Sequence, residues 1–182
     1  MAKNAKRGRA AKASYFVPAG PGRYVYSGPL YSPDTAEGVT AKRLGVRCVL
    51  FGAGTTVLSV LCGVLPVPGM TDAFYVIIPY ALTLIFSAVL LWKSVRVLYW
   101  GGERLREYIY NATVMKFPVL TLLCAVFAGV SAVGEVVYLV LNGADKARAP
   151  LAILFILFHG AILALALLRR KFETAVTWNK TV

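Results

Sequence analysis

The chain has 182 residues, of which 58% are hydrophobic and 15% charged, with a mean hydropathy of +0.67. A soluble domain is about 45–50% apolar, so this composition excludes a water-soluble globule and implies one built into lipid. The net charge of +12 would suggest nucleic acid in a soluble protein. Here the Lys and Arg residues stand beside and between apolar runs, as membrane orientation requires, so anionic headgroups and not nucleic acid are the expected partner.

Residues 1–31 read as a flexible basic tail, followed by a membrane domain over 32–182. The tail begins with Lys3, Lys6, Arg7, Arg9 and Lys12, then interleaves Tyr15, Phe16, Tyr24, Tyr26 and Tyr31 with prolines. No cleavable signal is expected, because no apolar run follows the basic start. The lack of any acidic residue before Asp34 keeps a mitochondrial inner-membrane protein as the alternative location. Ser32-Pro33-Asp34 has the order of a helix start, with a hydroxyl cap, a proline and then an acid.

Four spans are expected, over residues 44–65, 73–92, 117–141 and 150–168, each long enough at 1.5 Å per residue for a ~30 Å hydrocarbon core. In the first, Gly45, Cys48, Gly52, Thr55, Ser59 and Cys62 recur at alternating spacings of three and four, a stripe of small residues on one helix face. Such a stripe lets helices approach closely in lipid, where apolar burial between helices gains little. Pro79 is expected to bend the second span, with Thr83 or a neighbour satisfying the carbonyl it frees. Gly101-Gly102 ends that helix, and Glu103–Tyr110 has an apolar face (Leu105, Tyr108, Ile109) suited to a short cytoplasmic amphipathic helix. The basic triplet Arg169-Arg170-Lys171 is expected to stop the fourth span.

Paired in order, the spans make two antiparallel hairpins of an all-α membrane protein. Both termini then lie on one side, together with 18 of the 20 Lys and Arg residues. The positive-inside rule makes that side cytoplasmic, in the plasma membrane. The sequons Asn111-Ala112-Thr113 and Asn179-Lys180-Thr181 fall on it and are read as chance matches.

Two ionisable residues lie where hydrocarbon is expected. Glu135 stands ~9 Å inside the outer end of the third span and His159 ~13 Å inside that of the fourth. Intramembrane charge costs at least ~2.5–3.5 kcal/mol, so each needs a reason. The sequence suggests that they meet, with Ser131, Tyr80, Thr83 and Ser59 around them, either to fasten helices or to hold a proton or cation. Cys48, Cys62 and Cys124 lie in apolar runs with no C-x-x-C, so no metal site, disulfide or cofactor is expected. A single histidine outside any catalytic constellation argues against an enzyme.

Two functions remain. The first is a non-enzymatic subunit, assembling with itself or a larger membrane complex through the stripe and the amphipathic segment. The second is a small oligomeric proton- or cation-coupled transporter or channel, with Glu135 coupling and His159 as its partner.

Overall fold

A computed structural model describes residues 15–34, 39–143 and 148–181. Its frame is four helices long and apolar enough to cross a membrane. They are α1 (Ala41–Val64), α3 (Phe74–Trp100), α5 (Phe117–Asn142) and α6 (Ala149–Ala175). Two short helices join them, α2 (Pro68–Asp72) and α4 (Glu107–Ala112), the latter followed by a 3₁₀ turn over Val114–Lys116. α1 packs on α3 and α6, and α5 packs on the same two, so the four long helices close into a ring.

The start of α1 is set by Thr40, which is extended and accepts the Arg43 N–H at 3.4 Å. Ser32-Pro33-Asp34, expected to start a helix, instead belongs to strand β3 (Leu30–Asp34). α3 runs past Lys93 and Arg96 to Trp100, where Gly101-Gly102 ends it as the sequence expects, whereas α6 passes through the expected stop Arg169-Arg170-Lys171 to Ala175. The basic triplet does not stop the helix, because Arg169 turns inward.

The ring is lined by small and hydroxyl-bearing residues, while large apolar side chains such as Leu50, Phe74, Ile78, Val133 and Leu157 face outward. That inverted pattern suits lipid, where close approach of backbones replaces hydrophobic burial. All six residues of the α1 stripe are buried within the chain. A methyl group at Gly52 would stand 3.0 Å from the Leu91 Cα of α3. The stripe therefore packs α1 against its own neighbours and presents no face to another subunit. Most interior hydroxyls donate to carbonyls of their own helix, among them Thr55, Ser59, Ser87 and Ser94, so they are satisfied without reaching across.

Pro79 lacks the N–H that would bind the Tyr75 carbonyl. Thr83 does not reach that carbonyl; its hydroxyl donates to Pro79 O at 2.9 Å. The residue facing it is Gly134 of α5, where a Cβ would lie 2.8 Å from Tyr75 O. The missing side chain lets α5 close onto the proline turn of α3, and Ser131 donates to Val76 O beside it at 3.4 Å.

One end of the ring carries β structure. β1 (Phe16–Pro18) and β2 (Tyr24–Tyr26) form an antiparallel hairpin, with Phe16 opposite Tyr26. β3 lies between β4 (Leu105–Arg106) and β5 (Thr177–Thr181), antiparallel to both. Because β4 is two residues long, beyond Tyr31 β3 has a partner on one side only among the described residues, which is where a strand tolerates Pro33. The described part of the expected tail, residues 15–31, is thus drawn into strands and the turns between them; residues 1–14 lie outside the described residues. The hairpin rests on α4, with the Phe16 and Tyr26 rings 6.4 and 6.1 Å from that of Tyr108. Leu105 and Ile109 are fully buried, so the apolar face of the expected amphipathic segment is covered by the chain itself. Lys93 reaches back from α3 to the Ala112 carbonyl at 2.6 Å, a cation at the negative end of α4.

Candidate functional site

Among the described residues the buried Arg169, His159 and Glu135 fall in three places. At the sheet end is Arg169, 1% exposed although it opens a run of three basic residues. Along α6 the interior face carries Ala152, Phe155, His159, Ile162, Ala166 and Arg169, at alternating spacings of three and four. Glu173 continues the same series. The Arg169 Nε lies 2.6 Å from Glu173 Oε1, and its two terminal nitrogens donate to the Cys48 carbonyl of α1 at 3.2 Å and to Ser94 Oγ of α3 at 3.0 Å. The guanidinium stands 4.9 Å from the centre of the Phe117 ring of α5, and Thr121 of α5 donates to Glu173 Oε2 at 2.9 Å. One ion pair therefore touches all four long helices. The sequence reading missed it because the triplet resembles a stop signal, although the α6 spacing places both residues on the interior face.

Midway along the bundle lies His159. Its Nδ1 is 3.0 Å from the Phe155 carbonyl of its own helix and 3.4 Å from Cys62 Sγ of α1. A carbonyl only accepts, so the proton is assigned to Nδ1. The Tyr80 ring of α3 meets the imidazole edge-on at 6.1 Å, and the Tyr80 hydroxyl donates to the Ser59 carbonyl at 3.3 Å. Ser59 Oγ lies 3.4 Å from Ser87 Oγ, whose proton goes to the Leu84 carbonyl at 2.9 Å. Of the residues expected around the site, Ser59, Tyr80 and His159 are linked here, and Thr83 is bonded within α3.

Glu135 belongs to neither group. Its side chain is fully buried, and the Gly69 backbone N–H of α2 faces its carboxyl without a well-formed hydrogen bond. It lies against Gly69 of α2, where a Cβ would collide with the carboxyl. No hydrogen bond joins it to His159. The expected pairing fails on direction: the imidazole faces α1 and α3, while the carboxyl faces the turn between them. Ser131, one helical turn away, bonds to α3 and not to Glu135.

Beside α2 a cleft of about 440 Å³ opens at the end opposite the sheet. Pro68, Asp72, Tyr138, Asn142 and Arg148 line it, and the Tyr138 hydroxyl donates to Asp72 at 3.0 Å. Among the described residues no three His, Cys, Asp or Glu side chains converge as metal ligands. No protein-family model matches the chain, and it resembles no curated protein and no solved structure.

Proposed function

We propose that this multi-pass membrane protein is a non-enzymatic component of a larger membrane assembly, and that it docks through its sheet end. The observation that carries this reading is the sheet β4-β3-β5. It joins strands from before the first long helix, between the second and third, and after the fourth. Ordering three separate segments costs conformational entropy. The four-helix ring already has its own buried clamp, so the sheet is best understood as a surface built for contact. β5 has no strand on its outer side among the described residues, and an open edge of this kind accepts an added strand. The stripe and the apolar face of the Glu103–Tyr110 segment, the two contact surfaces read from the sequence, are both covered within the chain.

The same sheet supports a cytoplasmic orientation for both termini in the plasma membrane. It gathers the segments that carry most of the basic residues, which anionic headgroups would hold. The test is cross-linking in native membranes followed by gentle solubilisation. The wild type is expected in a higher-mass complex. Deletion of residues 177–182 is expected to lose that complex while the helix content is kept. A wild-type chain that stays monomeric before and after cross-linking would remove the reading.

A further inference from the structure

We propose that the partner at the sheet end is a second copy of this chain, with the two β5 strands paired antiparallel; this rests on docking through that end. β5 is held ready for such a contact. The Asn179 amide donates to Asp34 Oδ2 at 3.1 Å and the Thr177 hydroxyl to the Asp34 carbonyl at 3.4 Å, fixing the strand on β3. Thr177, Asn179, Lys180 and Thr181 are exposed. Strand edges are commonly blunted by proline or by charge, and β5 has no proline and one charge, Lys180.

The place of the sheet sets the direction of approach. Strand alternation puts Tyr31 and Trp178 on one face. Tyr31 stacks on Tyr110 of α4 at 4.2 Å, and Trp178 shares a small cavity with Leu44 of α1, Phe117 of α5 and Phe172 of α6. That face covers the end of the bundle, so the sheet lies across it with the β5 edge turned sideways, along the membrane. Two copies inserted the same way share a twofold axis along the membrane normal. Antiparallel strands pair about an axis perpendicular to their sheet, and here the two directions agree. β5 is self-complementary about such an axis at Asn179. Thr177 then meets Thr181, Trp178 meets Lys180, and the two lysines stay apart.

The helix that leads into β5 suits the same approach. Amid large outward side chains such as Leu157 and Leu168, α6 exposes Gly160, Ala161 and Ala164, and a methyl group at Gly160 would meet nothing within 4 Å. Small residues one turn apart let two helices come close in lipid. Pairing centred on Asn179 sets the two copies of Thr177 about 14 Å apart. Helices crossing near Gly160 and Ala164 at about 40° splay to roughly that distance at their ends. One axis serves both contacts.

Single cysteines in the full-length chain, in native membranes, test the register; the native cysteines are buried. Asn179→Cys is expected to give a covalent dimer with a short bismaleimide. Thr177→Cys and Thr181→Cys are each expected to give little alone and to link when co-expressed. Gly160→Leu combined with Ala164→Leu is expected to reduce the Asn179→Cys dimer several-fold without lowering the unfolding midpoint, since Gly160 faces open space. A higher-mass complex with no dimer at position 179 and no link between positions 177 and 181 would overturn the second copy as partner while docking through the sheet end stood. Thr177→Cys dimerising alone as strongly as Asn179→Cys would overturn the strand pairing. A chain that stays monomeric would remove both readings.

Discussion

Arg169 and Glu173 lie one turn apart on α6, with Nε and Oε1 separated by 2.6 Å, and between them they contact every long helix of the bundle. Breaking such a pair from one side leaves a buried charge, which typically costs about 3–5 kcal/mol, whereas replacing both partners with apolar residues is often neutral. Arg169→Met and Glu173→Leu are each expected to lower stability by about that amount, and the double variant to recover most of it. Unfolding in mixed micelles measures all three. Additive losses in the double variant would show that the pair does not act as a unit.

The approach of α1 to α3 at Gly52 gives a second test. A Leu there must displace the Leu91 backbone and crowd Arg169. Overpacking of this kind costs about 1–3 kcal/mol. Gly52→Leu is expected to lower the unfolding midpoint while leaving the size of the native complex unchanged. A complex that dissociates around a chain of unchanged stability would return the stripe to an intermolecular role.

Glu135 and His159 face different neighbours, so their substitutions are expected to act independently. In a double-mutant cycle, Glu135→Gln and His159→Phe should add within about 0.5 kcal/mol. A coupling of about 1 kcal/mol or more would show that the two side chains meet.

The hairpin β1–β2 carries a pH dependence of its own. The Glu107 carboxylate beside Tyr15 raises that phenol above its ordinary value, and burial raises Tyr26. A raised acid binds its proton more tightly in the folded state. Docking of the hairpin is therefore fully supported below about pH 10 and lost as pH rises through the folded values. Limited proteolysis after Arg23 should accelerate in that alkaline range, and Tyr26→Phe should blunt the effect. Cleavage that ignores pH in the wild type would contradict it.

Local periodicity made the helices legible. The spacing of Gly45, Cys48 and Gly52 marks the interior face of α1, and the apolar runs bound all four long helices to within a few residues at most ends. The strands could not be read in the same way. β3 pairs with residues some 75 and 145 positions on, and Ser32-Pro33-Asp34 is a sound helix cap until those partners are known. Arg169 was hidden by its neighbours Arg170 and Lys171, although its place in the α6 spacing pointed inward. The isolation of Glu135 was out of reach, since it depends on which way a short turn folds over one helix end.

Three segments far apart in the chain share one end of the bundle, and docking through that end requires them all on one side of the membrane. Cysteines introduced singly at Arg23, Arg104 or Lys180, and at Thr71 in the opposite turn, test this with a membrane-impermeant maleimide on sealed cells; the native Cys48, Cys62 and Cys124 are buried. Only the cysteine at position 71 is expected to react from outside, the other three reacting after permeabilisation. Any of those three labelled from the same side as position 71 would contradict the shared end.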